Sequence, residues 1–142
     1  MKVNIKRIDK SLPLPEYQTQ GSVAIDLYSR LDFEVLPKEI ALIPSNVIIE
    51  TPLGYMLMIA SRSSTPRKLG LLVPHGIGIV DQDYCGPNDE VLIQVYNFTE
   101  NPVRIQKGQR LAQAVFVKID TVEWTEVETM EKPSRGGVGS TG

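Results

Sequence analysis

Five segments of the 142-residue chain gather side chains able to handle a phosphorylated ligand. In Ala60-Ser-Arg-Ser-Ser-Thr-Pro-Arg67 an apolar run ends in Arg62, Ser63 and Ser64, and Pro66 suits a first helical position. Hydroxyls and N–H groups then meet at a helix start, which reads either as a phosphate seat or as an ordinary Ser/Thr cap. In Gly76-Ile-Gly-Ile-Val-Asp-Gln-Asp-Tyr-Cys-Gly86, Asp81 closes an apolar strand. There a part-buried carboxylate can serve as general base on water if a partner orients it, or it can cap a turn. Asp81 and Asp83 would form a direct metal pair only if the chain stays extended between them. Tyr84 reads as packing and His75 as a turn residue, and His75 with Cys85 lacks the third group that a nucleophile pair needs. Gly108-Gln-Arg-Leu-Ala-Gln113 opens an apolar strand with Arg110 and Gln113 on its polar side. Asp26 stands inside the apolar Gly21-Ser-Val-Ala-Ile-Asp-Leu27, where a buried acid needs a partner, and Arg110 is the candidate. Last, Arg135-Gly-Gly-Val-Gly-Ser-Thr-Gly142 joins a guanidinium and two hydroxyls to freely turning backbone. It can wrap an anion or remain an inert end, and without a Walker Lys it is no P-loop.

The elements that must position these groups are short. Val and Ile total 27 against 5 Ala, with 10 Pro and 11 Gly, a balance suited to pleated strands and frequent breakers. Strands are expected at residues 3–8, 23–28, 39–43, 47–50, 55–60, 76–80, 90–98, 103–105, 111–119 and 122–128. A helical turn or two is expected near 65–69. Strands this short and numerous predict an all-β sandwich, jelly roll or barrel. One domain over residues 1–130 is expected to carry a glycine-rich tail over 131–142, too polar to pack by itself.

Charge and rare residues narrow the chemistry. A formal net charge of −2 argues against a nucleic-acid or membrane binder. One Cys excludes an internal disulfide framework and one His excludes an HExxH zinc site. MKVNIKRIDK has no apolar core of a signal peptide, so a cytoplasmic protein is expected. Three arginines and two Gly/Ser-rich seats around one acid ask for a small polyphosphate.

Taken in order, Ser22-Val-Ala-Ile-Asp-Leu-Tyr28, Ser61-Arg-Ser-Ser64, Gly78-Ile-Val-Asp-Gln-Asp-Tyr-Cys-Gly86, Gly108-Gln-Arg-Leu-Ala-Gln113 and Arg135-Gly-Gly-Val-Gly-Ser-Thr-Gly142 resemble the five motifs of the trimeric dUTPase family, the deoxyuridine 5'-triphosphate nucleotidohydrolases. The resemblance implies a jelly-roll-like (β-clip) subunit, a homotrimer with active sites at subunit interfaces, and Mg²⁺-assisted hydrolysis of dUTP to dUMP and pyrophosphate. It implies that Asp81 activates water against the α-phosphorus. His75, Gly76, Ile79 and Val80 would receive uracil, and Tyr84 would pack under the deoxyribose and leave no room for a 2′-hydroxyl. Arg62, Ser63, Ser64 and Gln113 would hold phosphates, while Arg135, Val138, Gly139, Ser140 and Thr141 would close over them. Asp26 and Arg110 would support the site as an ion pair, Asp26 touching metal-bound water and no residue ligating the metal directly. Val138 stands where the family usually has an aromatic residue, Cys85 where Arg is commoner, and Pro87-Asn-Asp89 is a short insertion. A dCTP deaminase, alone or bifunctional with dUTPase activity, resembles the second motif. That chemistry needs a glutamate where this chain has Gln94. A non-catalytic nucleotide-binding regulatory relative would have no need of Asp81. Ending the chain before Arg135 should lower turnover far more than thermal stability; equal loss of both would make the tail structural.

Overall fold

Alternation and breakers build eleven strands and one short helix in a computed structural model that describes residues 1–137. In chain order they are β1 (Ile5–Arg7), β2 (Ile25–Tyr28), β3 (Phe33–Val35), β4 (Ile40–Pro44), β5 (Val47–Ile49), β6 (Tyr55–Ser61), α1 (Thr65–Leu69), β7 (Leu71–Leu72), β8 (Ile77–Val80), β9 (Leu92–Asn97), β10 (Val103–Ile105) and β11 (Arg110–Lys118). All pairing is antiparallel. The sheets run β2-β11-β6-β8, β4-β9-β7, β1-β5 and β10-β3, an all-β body of the expected jelly-roll kind. Among the described residues no helix is long and apolar enough to cross a membrane.

The inward positions of the two larger sheets make one core. In β4, Ala41 and Ile43 are buried while Ile40 and Leu42 face out, and β9 answers with buried Ile93 and Val95. Leu27, Leu57, Ile59 and Ala114 close the core from the other sheet. At about 25 cal/mol per Å² of apolar surface removed from water, this shared burial is the main force holding sheets that have few long strands.

Two strands escaped the sequence reading and one expected strand is absent. β3 and β7 are too short for alternation to register, and they exist because β10 and β9 offer them edges. Residues 122–128 alternate like a strand but pair with no other described residue, and Val122, Trp124 and Val127 are 67%, 89% and 57% exposed. A strand needs a hydrogen-bonding neighbour, and no strand among the described residues pairs with this segment.

Helix α1 is as expected and ends at Gly70, whose φ of 69° and N–H to the Pro66 carbonyl (3.1 Å) form a left-handed cap. A Cβ at Gly70 would lie 2.1 Å from Thr99 Cγ2. Thr99 cannot step aside, because its hydroxyl donates to Asn97 Oδ1 (2.8 Å) and lies 2.9 Å from the Asn101 carbonyl. Gly70→Ala should therefore cost about 2–4 kcal/mol in urea unfolding, combining left-handed strain with overpacking. Adding Thr99→Ser should recover the overpacking share; an unchanged loss would assign it all to φ.

Candidate functional site

Asp26 lies in β2 between two apolar neighbours and is 8% exposed. Its Oδ1 accepts from Arg62 Nε (2.7 Å) and its Oδ2 from Arg110 Nη1 (3.2 Å). A β-bulge makes this convergence. In β11, Arg110 pairs with Tyr28, Ala112 with Leu27 and Gln113 with Asp26, so Leu111 is the extra residue. Residues three apart on a regular strand face opposite sides. The bulge instead turns Arg110 and Gln113 to the face of Tyr28 and Asp26, while Leu111 and Ala112 are both buried. The Arg110 guanidinium sits 5.9 Å from the Tyr28 ring centroid, within cation–π range.

The segment after β6 is tied to the same bulge. Thr65 Oγ1 donates to the Leu111 carbonyl (2.8 Å), and Gln113 Nε2 donates to the Ser61 carbonyl (3.0 Å). Ser63 is exposed, and Ser64 stands at the N-cap position without a side-chain cap bond. Both hydroxyls thus remain open beside Arg62, whose Nη groups make no hydrogen bond among the described residues. Arg62 as the shorter of the two bonds to Asp26 was not foreseen; nothing in the spacing separates its pairing from that of Arg110.

The second group of candidates hangs from β8. Gly76 turns the chain at φ 78°, His75 is exposed, and Ile79 is 61% exposed. Ile79, Val80, Asp81, Tyr84, Val91 and Leu92 line a recess of 210 Å³. Beyond Asp81 a wider cleft of 590 Å³ opens, walled in part by Tyr55, Met56, Gln82 and Asp83. Asp81 is exposed, contrary to the expected part-burial: it follows the last paired residue of an edge strand, and no further element among the described residues covers it. Nor do Asp81 and Asp83 share one strand face, because the chain turns at 82–83 and the Tyr84 N–H points back to the Asp81 carbonyl (3.4 Å). Among the described residues no three His, Cys, Asp or Glu side chains converge on a metal position. The Cys85 thiol donates to the Gln82 carbonyl (3.6 Å).

The Arg30–Glu90 pair was missed, since sixty residues separate partners that carry no local signal. Arg30 Nε and Nη2 donate to the two Glu90 oxygens at 2.9 Å each. These bonds hold the Arg30 pKa above its ordinary value, as a charge-assisted bidentate pair should.

The two groups occupy opposite ends of β6. Val80 pairs with Leu57 and Ile77 with Ala60, so Asp81 sits near Met56 while Arg62 leaves the other end. At about 3.3 Å per residue the separation is about 20 Å. Arg135 is exposed on the extended segment past β11, and Val138, Gly139, Ser140 and Thr141 lie outside the described residues.

The dUTPase family model matches residues 10–142. A deoxyuridine 5'-triphosphate nucleotidohydrolase of Dictyoglomus turgidum is 40% identical over 148 residues, covering 100% of this chain and 99% of the relative. The dUTPase of Staphylococcus bacteriophage 80alpha, solved with dUPNHPP, has a TM-score of 0.87 at 28% identity, covering 99% of this chain and 98% of that one. Streptococcus mutans dUTPase has a TM-score of 0.77 at 28% identity, covering 84% and 98%.

The geometry at Asp26 yields a stability test. Asp26→Asn should lose about 1.5–3 kcal/mol in urea unfolding, the worth of hydrogen bonds to charged groups. Arg110→Ala should lose less than about 1 kcal/mol, since that side chain is 41% exposed and solvent screens it. Equal losses would show that Arg110, not Arg62, holds the carboxylate.

Proposed function

The chain belongs to the dUTPase family, and from that premise we propose that it hydrolyses dUTP to dUMP and pyrophosphate, with Asp81 as general base on the water that attacks the α-phosphorus. The observation that carries this reading is Asp81 at the edge of the recess walled by Ile79, Val80, Tyr84 and Leu92. A base seated there places the α-phosphorus next to an exposed carboxylate whose lone pairs are open to water. β8 is the edge of its sheet, so among the described residues no further strand pairs with its outward N–H and C=O groups. They suit the alternating donors and acceptors along one edge of uracil, with His75 and Gly76 at the turn. Tyr84 would lie against the deoxyribose and leave no space for a 2′-hydroxyl.

Phosphates fall to the other group. Arg62, Ser63, Ser64 and Gln113 present charge and hydroxyls at one end of β6, held by Asp26 and Arg110. Arg135, Val138, Gly139, Ser140 and Thr141 of the tail would close over the triphosphate. Positioning and charge neutralisation supply most of the catalysis in phosphoryl chemistry. Mg²⁺ fits this donor set as an ion held by substrate phosphates and water, with Asp26 at most touching its water shell. When bound it would neutralise phosphate charge; the chain's own residues orient the nucleotide and hold the attacking water.

A separation of about 20 Å is beyond what one α-phosphate can bridge, because a base must come within hydrogen-bond reach of its water. We therefore read the site as completed between copies in a homotrimer, Asp81 of one copy facing the Arg62 group of another. The uncovered Ile79 and Trp124 support self-association.

With Mg²⁺, the protein should release pyrophosphate from dUTP and turn over UTP, dTTP and dCTP about 100-fold more slowly, as followed by chromatography. Ammonia from dCTP would overturn the assignment. Asp81→Asn should lower kcat about 10²- to 10⁴-fold while dUTP still binds. Co-expressing the inactive Asp81→Asn and Gln113→Ala chains should restore activity in mixed oligomers; no recovery would place the whole site in one chain.

A further inference from the structure

Tyr84 is the one aromatic wall of the recess, yet it is 38% exposed and begins a turn-rich loop. Its own segment holds it weakly, with an N–H bond of 3.4 Å to the Asp81 carbonyl. The far end of the ring is held instead by its hydroxyl, which donates to the Glu90 carbonyl at 3.1 Å. Residues 85–89 between them are tied mostly to one another, by Gly86 N–H to Asp89 Oδ2 (2.7 Å), Asp89 N–H to the Gly86 carbonyl (3.2 Å) and Glu90 N–H to the Asn88 carbonyl (2.9 Å), so the loop takes its place from the anchor at Glu90.

Glu90 does not move with that loop. Its side chain is 12% exposed, and it accepts from Arg30 Nε and Nη2 (2.9 Å each) and from the Asn46 N–H (2.7 Å). Asn46 is itself locked, 2% exposed at φ 74°, with Oδ1 accepting from the Asp9 N–H (2.6 Å) and Nδ2 donating to the Asp9 carbonyl (3.0 Å). The Arg30 N–H donates to the Pro44 carbonyl (2.8 Å). Val91 and Leu92, which follow Glu90, line the same recess. A three-bonded carboxylate thus fixes the carbonyl that holds the ring.

We propose that Glu90, clamped by Arg30, is a positioning residue that sets the Tyr84 ring and so governs discrimination between deoxyribose and ribose. This rests on the reading of Tyr84 as the sugar wall. Neither Glu90 nor Arg30 touches the nucleotide; both act through the Tyr84 hydroxyl. A ring free to swing by a fraction of an ångström would open the space that a 2′-hydroxyl needs.

The test is a double-mutant cycle on sugar preference. Tyr84→Phe, Glu90→Gln and the combined variant would be assayed for kcat/KM with dUTP and UTP. Binding of non-hydrolysable α,β-imido analogues of both would be measured by calorimetry. Each single change should lower the dUTP:UTP ratio about three- to tenfold, the value of one hydrogen bond, and the pair should lower it no further than the larger single effect. A merely structural Glu90 would lower both substrates alike and leave the ratio unchanged, which overturns the proposal, as would fully additive ratios. Should Glu90→Gln not fold, an unchanged ratio in Tyr84→Phe is enough to overturn it, and a lowered ratio there together with the same fall in Arg30→Lys supports it. The binding arm separates the two readings: a Glu90-dependent deoxyribose preference without hydrolysis would sustain this proposal while defeating the catalytic assignment.

Discussion

A carboxylate inside a strand has to find cations, and the ends of two other strands are arranged to supply them. Asp26 loses most of its hydration, and an unpaired charge there would cost several kcal/mol. Arg62 arrives from the end of β6 and Arg110 from the start of β11, and only the bulge at Leu111 brings Arg110 to the correct face. Thr65 then satisfies the carbonyl that the bulge leaves out of the ladder. One buried charge thereby fixes where Ser63 and Ser64 leave the sheet, which gives a loop of small polar residues a defined shape.

The second constraint is length. β6 crosses the sheet from the Asp81 end to the Arg62 end, and its rigidity holds the two halves of the chemistry apart. The same arrangement leaves β8 as an edge strand beside the recess lined by Ile79, Val80, Tyr84 and Leu92. The proposed trimer would reconcile the two, since placing unlike ends together demands no rearrangement of either. The turn-rich loop before Glu90 fits the same logic: it is tolerable next to the recess because the residue that closes it is anchored by Arg30 and Asn46.

Much of this was legible from residues alone. Apolar alternation marked β4, β6, β9 and β11, because a half-buried strand must alternate whatever it pairs with. Pro66 marked the start of the one helix among the described residues through the φ its ring fixes, while the Gly70 cap emerged only in the structure. Asp26 announced a need for an arginine by standing among apolar neighbours. The segment at 122–128 misled for a related reason: alternation records a readiness to pair, not the presence of a partner.

The sequence by itself determined the inventory of chemistry, one candidate base, three arginines and two hydroxyl-bearing seats, since side-chain type and local backbone preference are properties of neighbours in the chain. Tertiary structure alone decided how that inventory is divided. The face that Arg110 takes depends on a bulge, the exposure of Asp81 on what fails to cover an edge, and the clamp on Glu90 on an arginine sixty residues away. Each is a distance between segments remote in sequence, and such distances exist only once the sheets have packed.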